Sequence, residues 1–141
     1  MEDRHLYKAK RLDNGEWVTG SLIQSSMRSW ISSEQADKAR LRSVSKTQAI
    51  WRAIEVDPST ICQCTGLKDK NGKLIWENDI MVAHLDDMYP EDKAYQIVLW
   101  HKGKFYTKEK GSEEIWPISE FDQEHFEVCG NIFDNSELYE Y

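Results

Sequence analysis

Apolar and polar residues alternate in short runs along this chain, with turn-forming residues at nearly regular intervals, and a period of two belongs to β-strands. The run 61–85, ICQCTGLKDKNGKLIWENDIMVAHL, reads as strand, tight turn, strand, second turn, strand. Asn71-Gly72, between Leu67 and Leu74-Ile75-Trp76, is a strong hairpin signal because both residues tolerate positive φ. Gly66 suggests a bulge or a close backbone approach, and Glu77-Asn78-Asp79 turns the chain into Ile80-Met81-Val82-Ala83. Upstream, residues 5–12 and 16–23 form a second expected hairpin around Asp13-Asn14-Gly15, with Trp17 and Thr19 on one face and Val18 and Gly20 on the other. Residues 49–56 read as a strand that turns a corner at Asp57-Pro58. Downstream, 95–101 and 104–110 flank Lys102-Gly103 as a third hairpin. Residues 114–118 make an edge strand bearing Pro117, and 126–129 the last strand. A brief terminal helix over SELYEY would be capped by Asp134 or Asn135.

The stretch 24–48 breaks the pattern. It is rich in Ser, Gln and basic residues, its large apolar side chains are few, and it reads as an exposed connection holding one short helix from Ser32-Ser33-Glu34-Gln35 to about Arg42. The expected fold is therefore mainly β, a compact barrel-like or sandwich arrangement of about eight short antiparallel strands with one or two short helices. Residues 1–60 would form an N-terminal hairpin lobe with the polar connection and 61–141 a C-terminal barrel-like lobe, together one compact unit.

Three segments carry a family resemblance. TGLKDKNGKLIWENDIMV resembles the signature of the YopX-like proteins of bacteriophages and prophages, usually close to TGLKDKNGKxIxEGDIV, with Asn78 standing in for a glycine. LYKAKRLDNGEWVTGSL at 6–22 is similar to that family's opening. VCGNIFDNSEL at 128–138 is similar to its GNIxDNPEL close, with Ser136 in place of proline. The resemblance implies a small β-rich phage protein of unknown activity. It marks Gly66, Asp69, Asn71, Gly72, Glu77, Asp79, Gly130 and Asn131 as the signature residues.

Composition and charge narrow the function classes. With 141 residues, 40% hydrophobic and 30% charged, the chain can bury a core without disulfides or metals. It contains no apolar run of membrane-spanning length and its first residues lack a secretory h-region, so the expected location is the cytoplasm of a bacterial host. Charge is uneven: residues 1–61 carry ten Lys+Arg against eight Asp+Glu, formally +2, and residues 62–141 carry eight against seventeen, formally −9. A phosphate backbone would have to meet the first half, whereas the second suits a basic protein partner.

Candidate chemistry is sparse. Cys62, Cys64 and Cys129 read as free thiols and small buried hydrophobes rather than as a zinc site, because Cys pairs in such sites are spaced by two to four residues. The acidic loop 86–92 lacks the glycine and distal glutamate of a calcium-binding EF-hand. Asp69, Glu77, Asp79, His84, His101 and His125 are the acid–base candidates. Asp69 and Asp79 are accounted for by turn and strand-start chemistry, and His84 and His101 are placed on strands where they can lie together. No P-loop, GxSxG, HExxH or GxGxxG motif occurs. The reading is a non-enzymatic interaction protein that binds copies of itself or a host or phage protein, with no cofactor, metal, membrane or small ligand implied. The alternatives are a nucleic-acid-binding β-barrel that docks through the basic segment 38–52, and an enzyme. The possible interaction surface is Trp30, expected to be exposed, with Lys38, Arg40 and Arg42; Trp51, Trp76, Trp100 and Trp116 are assigned to the core.

Overall fold

The computed structural model describes residues 6–32, 53–85 and 92–139. Among the described residues eleven strands form two antiparallel sheets, so the chain is mainly β, as the alternation of side chains led one to expect. Contacts divide the chain into two units, Met1–Cys64 and Thr65–Tyr141.

The first unit is built on the hairpin of β1 (Tyr7–Lys10) and β2 (Trp17–Ser25), in which Ala9 pairs with Val18 and Lys10 with Trp17. Gly15 in its turn has φ +75°, the left-handed conformation that the Asn-Gly pair supplies without strain. β3 (Arg28–Ser32) pairs with β2, and β4 (Ile54–Val56) with β3. The chain returns from β4 to the end of β1 through an Arg11–Val56 bridge and the hydrogen bonds Asp57 N–H to Lys10 O and Leu12 N–H to Glu55 O. Inside lie Ala9, Ile31 and Val56, all fully buried, with Tyr7, Val18, Leu22 and Ile61 packed against them. These residues share one face of their strands in the observed register. Asp57 caps a short 3-10 turn, Pro58–Thr60, before β5 (Cys62–Lys68), whose first residues pair with β1.

β3 corrects the reading of 24–48 as an exposed connection. Ser29 and Ile31 point inward while Arg28 and Trp30 point out, so a small polar residue at an inner position disguised the period of two. The turn before it, Ser26-Met27, holds Ser26 at φ +45° without the Gly or Asn that would have announced it. The helix expected near 32–42 lies outside the described residues.

In the second unit β5 ends beside β6 (Leu74–Trp76), and β7 (Asp79–His84), β8 (Lys93–His101), β9 (Lys104–Glu109), β10 (Ile115–Pro117) and β11 (Glu127–Asn131) make the five-stranded sheet in the order β10-β9-β8-β7-β11. Its core is Ile75, Met81, Ala83, Val98 and Phe126, flanked by Leu67, Ala94, Phe105, Ile118 and Val128. The sequence reading passed over a helix, α1 (Glu120–His125). Ser119 and Asp122 cap it reciprocally, and buried Asp122 accepts a bond from Gln96 at 3.1 Å. The expected terminal helix is a 3-10 turn, Ser136–Leu138, to which Asn135 gives no side-chain cap.

The tryptophans are redistributed. Trp76 is buried as expected and Trp30, on the outward side of β3, is half-buried, but Trp100 and Trp116 are 45% and 64% exposed, reversing two assignments. Alternation gives the face a residue lies on. It does not tell where on that face the covering layer stops, and Trp100 and Trp116 stand beyond it. Trp51 lies outside the described residues.

Candidate functional site

The signature residues fall in the second unit, where they tie two distant segments together. Gly66 turns β5 at φ +81°, and the Thr65 hydroxyl bridges the bend, donating to Ile75 O at 2.8 Å and accepting from Leu67 N–H at 3.0 Å. Asp69, 6% exposed, is the centre of the arrangement. Its Oδ1 accepts from Asn71 N–H and Lys73 N–H, both at 2.9 Å, which shapes the turn that Gly72 completes at φ +81°. Its Oδ2 accepts from Val128 N–H at 2.8 Å, across to β11. Asn71 Nδ2 reaches Glu127 at 2.8 Å on the same strand.

The second turn docks on the same partner. Asn78 has φ +72°, the left-handed conformation that glycine adopts most readily; its N–H donates to Val98 O at 2.7 Å and its carbonyl accepts from Ile132 N–H at 3.0 Å. Asp79, 2% exposed, accepts from Trp76 N–H at 2.8 Å and stands opposite Asn131 in the β7–β11 ladder. Half-buried Glu77 belongs to the same turn. A bulge at Cys129 shifts the register between Val128 and Gly130. Beyond it, Asn131 Oδ1 accepts from Phe133 and Asp134 N–H, both at 2.9 Å, and Asn135 Oδ1 accepts from Asn131 N–H at 3.2 Å. Gly130 leaves room for Asn135: a Cβ there would come within 2.4 Å of its Oδ1. The two signature segments are thus one structural clamp, and the carboxylates of Asp69 and Asp79 are spent on backbone N–H groups.

The remaining acid–base candidates are dispersed. His84 Nε2 lies 3.9 Å from Glu127 at the surface, whereas His101 contacts Tyr106 and His125 stacks on Phe121. The expectation that His84 and His101 lie together is wrong. In the β7–β8–β9 meander His84 pairs with Lys93 and His101 with Lys104, placing them at opposite ends of β8. Cys62 and Cys64 are buried, and partial burial pushes the thiol of Cys129 up from its ordinary pKa. Among the described residues no group of three or more His, Cys, Asp or Glu could hold a metal ion.

Two surfaces stand out. On the first unit, Lys8 and Lys10 lie over the Trp17 ring at 4.8 and 5.5 Å, and Arg28 lies 5.2 Å over Trp30 while its guanidinium grips Glu55 through bonds of 2.7 and 3.0 Å. Glu55 is thereby held below the usual carboxylate range, and the Arg11–Asp13 pair does the same to Asp13 beside an open groove of about 450 Å³. Lys38, Arg40 and Arg42, with the rest of 38–52, lie outside the described residues. On the second unit, Trp100 packs edge-on against Phe105 with ring centres 4.8 Å apart, and Trp116 and Phe121, the latter 61% exposed, stand out nearby in sequence. Sequence reasoning missed this group because Trp100 and Trp116 each lie within a strand-like run. The one available signal was Pro117, which marked β10 as an edge.

The chain superposes on the crystal structure of protein EF1440 from Enterococcus faecalis with a TM-score of 0.56 and 22% identity, covering 95% of this chain and 96% of that one. That likeness is one of fold. No match was found among curated proteins. The model of the YopX protein family matches residues 6–140, nearly the full length and all three segments quoted above, and the chain belongs to that family.

Proposed function

We propose that this chain is a phage- or prophage-encoded accessory protein of the bacterial cytoplasm that acts by binding protein, copies of itself included. One observation carries the reading: large aromatic side chains are exposed along the β8–β10 margin of the second unit, with Trp116 64% and Trp100 45% accessible. Tryptophan so placed is the residue type most often found at the energetic centre of protein interfaces. No helix of the described residues is long and apolar enough to cross a membrane.

A second reading, nucleic-acid binding, gains support from the first unit. Its outer face interleaves Lys8, Lys10 and Arg28 with Trp17 and Trp30, the pairing of cations and stacking platforms that single-strand binders use. Glu55 already engages Arg28, which argues against it. Light scattering on the purified chain, at low and high salt and with or without a mixed oligonucleotide pool, separates the two. The proposed function predicts an assembly larger than the 16.6 kDa monomer that ignores salt and oligonucleotide. A monomer that gains mass only with the pool, and only at low salt, overturns it.

A further inference from the structure

We propose that the outer edge of β10 is a self-pairing edge, through which two copies of the chain join antiparallel with Ile115 facing Ile115 of the second copy. This rests on the protein-binding reading and names its partner. Among the described residues β10 ends the five-stranded sheet, and its inner side is already used: Trp116 pairs with Thr107, and Ile118 N–H donates to Phe105 O at 3.2 Å. By alternation Ile115 and Pro117 turn their backbone groups outward. Ile115 offers both an N–H and a carbonyl, whereas Pro117 offers a carbonyl alone. Only the register centred on Ile115 matches both of its groups to both groups of its copy. Centring on Trp116 would set each Ile115 carbonyl against a proline nitrogen.

That register also disposes of the exposed aromatics. Trp116 lies on the sheet face of Thr107 and Val98, toward Trp100 and Phe105. Centred on Ile115, the two Trp116 side chains become diagonal neighbours across the two-fold axis, with a spacing of about 7 Å that aromatic rings span. The charges complement as well. The second unit is formally −9, which disfavours casual association, but the rim of this edge is mixed. Glu113, whose side chain is 99% exposed and 3.7 Å from Lys108, would face Pro117 of the second copy. From the β9–β10 register Lys104 of that copy lies one strand further, with Cα atoms ~12 Å apart by ordinary strand spacing and rise, within reach of the two side chains. The shortness of β10 and the missing donor of Pro117 limit the pairing to one contact, so the product is a closed dimer and not a fibre.

Sedimentation velocity over a dilution series tests this on the full chain. The expected result is a species approaching twice 16.6 kDa, or 33.2 kDa, as concentration rises. Trp116→Ala should raise its dissociation constant at least tenfold while circular dichroism stays unchanged, since the side chain is exposed. Glu113→Lys and Lys104→Glu should each weaken the dimer, and the two together should restore it, a result no misfolded variant can mimic. A wild-type chain that stays monomeric at every concentration overturns self-pairing, while binding to other proteins is judged separately by crosslinking at this edge. A wild-type oligomer unmoved by all of these variants places self-association elsewhere and overturns the β10 assignment.

Discussion

Asp69 offers the sharpest test of the clamp, because its two oxygens do different work. Oδ1 holds two N–H groups of an exposed turn, which water can satisfy once the carboxylate is gone, so each of those bonds contributes ~0.5 kcal/mol. Oδ2 holds the N–H of half-buried Val128, 59 residues away, and leaving that donor without a partner costs about 2 kcal/mol. Asp69→Asn keeps one oxygen for the turn and turns an NH₂ toward Val128, so it should lose about 2 kcal/mol. Asp69→Ala should lose about 3 kcal/mol. With a urea m-value of ~2 kcal/mol/M, these correspond to midpoint shifts of about 1 and 1.5 M in the second unit's transition. Hydrogen exchange should show Val128 deprotected in both variants. An asparagine variant as stable as wild type would remove the Val128 bond from the account. An asparagine variant as unstable as the alanine one would show that the turn bonds add nothing.

Gly130→Ala drives a Cβ into Asn135 Oδ1 and should lose about 2 kcal/mol in thermal or urea unfolding, with Asn135→Ala recovering part of it in the double variant. Full additivity would contradict the packing. Gly72→Ala meets nothing within 4 Å, so its expected loss of ~1 kcal/mol comes from backbone strain at φ +81° alone; an unchanged midpoint would mean the turn adopts another conformation. Glu55 and Asp13 are held below their ordinary pKa by guanidinium partners, so the stability they add is present above the unfolded-state pKa and is lost as pH falls through the folded one. The first unit should accordingly weaken on acidification below the ordinary carboxylate range, with Glu55→Gln and added salt both flattening the profile.

What the sequence revealed depended on how local the determinant was. The turns at Gly15 and Gly72 were legible because Gly supplies the positive φ each requires, that at Lys102-Gly103 because Gly103 supplies one of its two, and the Asn at 78 could be read as a glycine substitute for the same reason. β3 was hidden by Ser29 at an inner position and a turn at Ser26 without turn chemistry, and α1 by a cap whose reciprocal partner is Asp122 rather than Glu or Gln. That Asp69 and Asp79 serve the backbone was readable from their turns, but the bond from Val128 to Asp69 joins residues 59 apart and no spacing rule reaches that far. The exposed margin was misread for a related reason. Trp100 and Trp116 sit on the core-facing side of their strands, and only the extent of the covering layer, set by Ile118, Phe126 and the β5–β6 hairpin, leaves them in solvent.

A photo-crosslinking amino acid placed at position 116 in cells that express the chain tests the central claim most directly, with exposed Thr19 as the comparison position. The account predicts discrete protein adducts at 116, one of them at the mass of a dimer, and few at 19. Adducts to nucleic acid, or adducts concentrated at 19 and missing at 116, would contradict it.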